Sequence, residues 1–299
     1  MRILLTGISG QVGGALRQQL LCFGEVIAAD RARLDLAAPA AIPSRLDALA
    51  PDLIINPAAY TAVDQAERDL AVAMIVNAEA PSAIAQWAAR RHVPLLHFST
   101  DYVFNGSGTR PWREDDAVGP LSAYGTSKLA GEQAIRDAGG PHLILRTSWV
   151  YAATGRNFLT TIARLAHERE ELRVVADQVG APTSAAMIAA TATQILGKAT
   201  GQQICERFAA AQGLLHLCAA GETSWHGFAS DILAGLQQRG VRLACQRVTA
   251  ISTADYPTAA RRPANSRLDC ERLAQVLAIR LPEWRIGLDA ELDAVAMRA

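Results

Sequence analysis

Along this chain, short apolar runs alternate with longer stretches in which apolar positions return every three or four residues. "RILLT", "EVIAA", "DLIIN", "PLLHFS" and "HLILRTS" are the short runs; helical patterns stand between them from about Gln11, over Ile42–Leu49, and through Trp87 in one long helix. Crossovers between parallel strands need a helix's length, and a sheet covered on both faces needs strands that are apolar throughout. The alternation therefore predicts an α/β fold, a doubly wound parallel sheet, over residues 1–150. After Val150 the pattern loosens. A helix near 185–197, the strand-like "LLHLCA", a helix near 225–238 and the Pro- and Arg-bearing "DYPTAARRPANSRL" predict a smaller, mixed α/β second domain over 151–299. No low-complexity linker or charge block divides the halves, so the boundary is soft and segments of the second can return to the first.

Composition narrows the setting. Lys+Arg and Asp+Glu balance at 29 each, so no overall field draws the chain to nucleic acid or an anionic membrane. The five cysteines, Cys22, Cys205, Cys218, Cys245 and Cys270, are scattered and never spaced as CxxC, which favours reduced thiols over disulfides or a zinc site. The apolar run after Arg2 breaks at Gly7, too short for a secretory leader, and no window has the length of a membrane span. A cytoplasmic protein is expected.

Candidate chemistry begins at Gly7, Gly10 and Gly13, a GxxGxxG directly after the first strand and at the mouth of a helix. Such glycines let backbone approach a pyrophosphate, whose charge the free N–H groups of the helix favour. Asp30 ends the second strand, where a carboxylate can accept from ribose hydroxyls and favours NAD(H); Arg31 and Arg33 could neutralise the extra phosphate of NADP(H) or be solvated loop charges. Asp35 in "LDL" is the next candidate for the adenine side, and small Ala58 and Ala59 leave room at the third strand's end. Tyr124 and Lys128 lie four apart, hence on one helix face, with small Gly125, Thr126 and Ser127 between them. A neighbouring ammonium favours phenolate, so Lys128 would lower the pKa of Tyr124, while Thr100 at the fourth strand's end could hydrogen-bond a reacting carbonyl.

Glycine turn, strand-end threonine and YxxxK together resemble the extended short-chain dehydrogenase/reductases. "GQVG", "NPAAYTAVDQAE", "STDYVFNG", "YGTSKLAGE", "RTSWVY", "DQVGAPT" and "YPTAARRPANSRL" resemble, more narrowly, the dTDP-4-dehydrorhamnose reductases over nearly the whole chain. The resemblance implies a Rossmann dinucleotide domain, NADPH or NADH as cofactor, and a dTDP-sugar substrate bound mainly by the second domain. The implied reaction is reduction of the C4 ketone of dTDP-4-dehydro-L-rhamnose to dTDP-L-rhamnose, a donor for lipopolysaccharide, with Tyr124 as proton donor. Matched motif by motif, it places Gly10, Gln11 and Val12 at the pyrophosphate and Asp30, Asp35 and Leu36 at the adenosine. Ala59, Tyr60 and Thr61 lie along the cofactor, Tyr124 and Lys128 at the nicotinamide, and Thr100, Asp101 and Trp149 at the sugar. Arg262, Asn265 and Arg267 could contact the nucleotide diphosphate or deoxyribose, or simply fix an irregular loop.

Two departures sharpen the expectation. Some relatives carry glutamates that bridge a dimer through magnesium; here those positions are Ala15 and Ala186, and Glu291 alone remains, so no metal and no metal-bridged dimer is expected, leaving a monomer or weak homodimer. Sugar-nucleotide dehydratases resemble "TDE" where this chain has Thr100–Asp101–Tyr102, which favours reduction over elimination. The alternatives are another reductase or epimerase of the same family, or a non-catalytic cofactor-binding regulatory subunit.

Overall fold

The protein, described here over residues 1–298 from a computed structural model, is built on six parallel strands. They alternate with helices in chain order: β1 (Arg2–Leu5), α1 (Gln11–Gln19), β2 (Glu25–Ala28), α2 (Ile42–Leu49), β3 (Leu53–Asn56), α3 (Val63–Ala66), α4 (Leu70–Met74), α5 (Ala80–Arg91), β4 (Leu95–Thr100), α6 (Ala123–Asp137) and β5 (His142–Thr147). The sixth strand, Leu214–His216, joins the edge beyond β5, giving the order Leu214–His216, β5, β4, β3, β1, β2. The order reverses between β1 and β3, so a crevice opens there at the carboxyl ends of the strands.

Both faces of the sheet are covered, which is why β3 and β4 are buried along their whole length. Successive residues point to opposite faces. Ile3 and Leu5 pack with Leu16 of α1 and with Ile188, Ile195 and Phe208 from the helices Ala185–Leu196 and Gly201–Ala210; Leu4 packs with Leu46 of α2 and Ile84 of α5. Much of the chain after 150 thus lies on the first sheet. A separate core, around Tyr151, Ile162, Phe228, Ile232 and Trp284, is built from residues 151–175 and 219–295 with the parallel pair Glu171–Val175 and Arg247–Ile251. Two cysteines remote in sequence, Cys218 and Cys270, come within 3.5 Å sulfur to sulfur.

The single long helix expected through Trp87 is instead α3, α4, a π-helical segment Ile75–Glu79, and α5. Pro81, at the start of α5, has no N–H to give the Asn77 carbonyl four residues earlier, so the regular ladder cannot run through. Gly131 of α6 sits against that carbonyl, where any β-carbon would collide with it. The break therefore lets two helices approach closely and turns the Asn77 side chain toward the crevice.

Candidate active site

At the first crossover each glycine has its own reason. Gly7 adopts φ +58° with the backbone of Ala58 against it, and a β-carbon on Gly13 would strike the Gly7 carbonyl. Gly10 is the N-cap of α1 and carries no side-chain cap, so the first-turn N–H groups of Gln11, Val12 and Gly13 find no partner among the described residues. The Gln11 side-chain oxygen is buried and finds no partner among the described residues, while Val12 packs on the core. Asp30 is exposed at the end of β2 and accepts the Arg33 N–H at 3.0 Å. Asp35 closes its own turn on the Ala37 N–H at 2.9 Å, and Leu36 is buried in the core beside Leu34. Arg31, Asp35 and Arg45 line a small cavity of about 120 Å³ beside them.

Across the crevice, the stretch Ala59, Tyr60, Thr61 is held from behind. The Tyr60 N–H donates to Asn77 Oδ1 at 2.8 Å, and Asn77 Nδ2 donates to the Tyr60 carbonyl and to Ser127 Oγ, both at 3.0 Å. The Tyr60 hydroxyl points away to Asp69.

α6 starts at Ser122, whose hydroxyl accepts the Gly125 N–H at 3.2 Å, and carries Tyr124 and Lys128 on one face. Two of the small residues between them, Gly125 and Ser127, let α6 dock. A β-carbon on Gly125 would collide with the Tyr102 carbonyl, and Ser127 is buried, donating to the Tyr124 carbonyl at 2.8 Å. Tyr102 packs edge-on to Tyr124, ring centres 5.6 Å apart. Thr100, the last residue of β4, accepts the Tyr102 N–H and donates to Asp101 Oδ1, each at 3.2 Å.

Two titratable groups, Tyr124 and Asp101, meet at this strand end, and a third, Lys128, lies against the strand two residues earlier, at Phe98. Burial pushes the Tyr124 phenol up to about 12; the Thr100 hydroxyl pulls the other way and the nearby Asp101 adds to the rise. The expected lowering of the phenol by Lys128 is thus not what governs it among the protein's own groups; desolvation wins. Burial also pushes the Lys128 ammonium down to about 8, with Glu132 opposing, and Nζ donates to the Phe98 carbonyl at 2.7 Å. Burial pushes the Asp101 carboxyl up to about 7 against the Ser266 and Thr100 hydroxyls, and its Oδ2 finds no partner among the described residues.

Trp149 is 8% exposed with φ +48°, a costly conformation for a bulky residue, its ring stacked 3.5 Å from that of Trp225 and covered by Gly180. Arg262 makes a two-pronged pair with Asp64, 3.0 and 2.6 Å, and Asp64 also accepts the Ala260 N–H. Asn265 is buried, donating to the Arg110 carbonyl at 2.8 Å and accepting from Arg267 Nε at 2.9 Å; Arg267 continues to Glu222. All three residues anchor the 252–268 loop, which is the loop-fixing alternative. Glu291 accepts the Ala153 N–H at 2.6 Å.

Sequence reasoning passed over His97, Asn56, Thr6 and Asn77. For Asn56 and His97 the available signal was polarity inside strands covered on both faces, where every polar side chain must find a partner.

The model of the RmlD substrate binding domain matches residues 1–297 of the chain. A dTDP-4-dehydrorhamnose reductase of Burkholderia thailandensis is 45% identical over 290 residues, covering 96% of this chain and 97% of its own. One from Escherichia coli K12 is 42% identical over 297 residues, 98% and 97%. Among solved structures, a dTDP-4-dehydrorhamnose reductase of Clostridium acetobutylicum superposes with a TM-score of 0.89 at 33% identity, covering 99% of each chain. One from Bacillus anthracis, in complex with NADP, gives 0.88 at 31% identity, covering 98% of this chain and 99% of its own.

Proposed function

The chain belongs to the RmlD substrate binding domain family, and from that premise we propose that it reduces the C4 ketone of dTDP-4-dehydro-L-rhamnose to dTDP-L-rhamnose with NADPH or NADH. The observation that carries the reading is the Thr100 hydroxyl bonded to the Tyr124 phenol at the end of β4, with Lys128 one turn further along the same face of α6, in a chain whose relatives are dTDP-4-dehydrorhamnose reductases. The crevice fits a dinucleotide: its glycine turn leaves no β-carbon in the way and presents unpaired N–H groups to a pyrophosphate. Gly10, Gln11 and Val12 would hold the diphosphate, Asp30 the adenosine ribose, Ala59 to Thr61 the middle, and Lys128 the nicotinamide ribose. When bound, the reduced nicotinamide supplies hydride to C4.

The protein's own task is the proton. A phenol at about 12 stays protonated at neutral pH, so Tyr124 holds its proton until an alkoxide develops at the substrate oxygen, then gives it up. Thr100 orients that oxygen and stabilises the phenolate left behind, and a Lys128 ammonium in the same groove adds its field. Asp101 and Trp149 stand at the sugar side. We further propose a cytoplasmic monomer or weak homodimer without a magnesium bridge: Ala15 packs on the core and Glu291 is already engaged by Ala153.

The test follows absorbance of each reduced cofactor with dTDP-4-dehydrorhamnose generated in the assay. Stoichiometric consumption supports a reductase; an epimerase or a regulatory subunit would show none. Tyr124→Phe should lower kcat at least a hundredfold with cofactor affinity nearly intact, general acid catalysis contributing on the order of 10²–10⁴; full activity in that variant removes the phenol from the mechanism.

A further inference from the structure

Behind Lys128 lies a row of polar side chains that the mechanism above leaves unused. Asn56 and His97 are register partners on β3 and β4, and Thr6 follows the neighbouring β1. Lys128 Nζ stands 3.2 Å from His97 Nε2, His97 Nδ1 stands 3.1 Å from Asn56 Nδ2, and the Thr6 hydroxyl donates to Asn56 Oδ1 at 2.6 Å. None of the four side chains is more than 2% exposed. Buried polar groups in such a row need complete pairing, because water cannot make good a missing bond.

The row from Lys128 to Asn56 has two hydrogen-bonding solutions. With Asn56 Nδ2 facing Nδ1, the proton of a neutral His97 sits on Nε2 and needs an acceptor, which an uncharged Lys128 amine provides. With Lys128 as an ammonium, Nε2 must accept; the ring proton then sits on Nδ1, and the Asn56 amide turns over so that its oxygen receives it and its NH2 group donates to Thr6 Oγ1. An amide and its turned-over form fill the same space. Burial, and then the charge of Lys128, hold the imidazole far below its ordinary range, so it is neutral in both solutions. Of the other groups nearby, Glu132 of α6 acts on Lys128, favouring its ammonium, and is itself held by Arg146 of β5 at 2.8 and 2.6 Å; the π segment presents the uncharged Asn77, and Tyr124 is protonated.

We propose that His97 is a positioning residue for the reduction: with Asn56 and Thr6 it holds Lys128 Nζ against the Phe98 carbonyl, on the α6 face that also carries Tyr124, in both protonation states, exchanging one ring tautomer for the other as Lys128 titrates. The inference rests on the Tyr124–Lys128 reading above. Protons balance without charging the ring: Lys128 releases its proton to phenolate or solvent, and the ring proton relocates by exchange with water.

The sequence makes the test direct, because Lys128 and the exposed Lys198 are the chain's two lysines. In [15N]lysine-labelled protein, Lys128 Nζ should titrate near 8. In [15N]histidine-labelled wild type, His97 should carry its proton on Nδ1 below that midpoint and on Nε2 above it. His97→Phe removes a charge-assisted acceptor from the ammonium but only an ordinary donor from the amine, so the Lys128 midpoint should fall by about one pH unit. The alkaline limb of kcat should move with it while KM for the cofactor stays within about twofold. His97→Gln, whose oxygen can accept from Lys128 while its NH2 faces Asn56, should restore both. One tautomer across the whole pH range in the wild type, or an unmoved Lys128 midpoint in folded His97→Phe, overturns the proposal. Lys128→Met reports on the underlying reading separately: normal turnover there removes that reading, whereas lost turnover there together with a single His97 tautomer at all pH in the wild type removes the present proposal alone.

Discussion

Replacing Asn77 by alanine deletes three hydrogen bonds at once: the two that clamp the Tyr60 backbone, at 2.8 and 3.0 Å, and the one to Ser127 Oγ at 3.0 Å. Asn77 is 1% exposed, so water cannot replace them without rearrangement. At about 1 kcal/mol net for each bond, the loss should be about 3 kcal/mol, with the Tyr60 N–H and carbonyl left to compete for whatever reaches them. Ser127→Ala removes one of the three bonds to Asn77, plus the bond that Ser127 donates to the Tyr124 carbonyl, and should cost about 2 kcal/mol. Asn77→Asp keeps the shape and the bond from the Tyr60 N–H, but sets a carboxylate oxygen against the Tyr60 carbonyl, so it should not rescue. Urea unfolding followed by tryptophan fluorescence gives the stabilities, and quenching on NADPH addition gives the affinity. Cofactor affinity should fall in Asn77→Ala, because the clamped segment Ala59–Thr61 lines the crevice. A loss of stability below about 1 kcal/mol in Asn77→Ala, or an aspartate variant as stable as wild type, would refute the clamp.

Glu132→Gln leaves Arg146, 1% exposed, without its carboxylate, and calorimetry should show a loss of about 3–5 kcal/mol. Gly13→Ala drives a methyl group into the Gly7 carbonyl and should cost about 1–3 kcal/mol in urea unfolding, with weaker cofactor binding. The Asp101 carboxyl, pushed up to about 7, binds its proton more tightly folded than unfolded, so it destabilises the fold as pH rises from its unfolded value near 3.8 through 7. Asp101→Asn should therefore gain stability relative to wild type between pH 4 and pH 8, by at most about 1.4 kcal/mol per pH unit; a difference that is flat with pH contradicts the burial argument. His216, pushed down to about 3 by burial, runs the opposite way: its folded pKa lies below the unfolded 6.5, so its contribution is present above 6.5 and lost as pH falls toward 3, and His216→Gln should flatten the acid side of a Tm-against-pH curve.

The sheet and its helices were legible because burial on both faces forces strands to be apolar throughout, a pattern that survives in any window of the sequence. Gly7, Gly10 and Gly13 were legible for a related reason, since each answers a local demand of the turn. The break at Ile75–Glu79 was present as Pro81 but masked by the apolar periodicity on either side. Gly125 and Ser127 were legible as small but not for their purpose, which depends on Tyr102 and Asn77 from other elements. His97 and Asn56 are 41 positions apart in sequence and adjacent only through strand register, so their partnership with Lys128 could not be read from any short stretch. The raised phenol pKa of Tyr124 was missed because a sequence shows its charged neighbour and not the solvent it has lost.

The course of the chain between the two cores has a mechanical consequence. Residues 185–217 leave the second core to cover one face and edge of the six-stranded sheet, and Leu273, Leu277 and Leu281 return to it once more before Trp284 closes the other. Two lobes stitched together by so many threads cannot swing like a pair of jaws on one pivot. The arm at 252–268 adds a further stitch, its Arg262 riveted to Asp64 beside the first sheet, and a fragment cut at 150 would be an open-sided sheet with its wall missing.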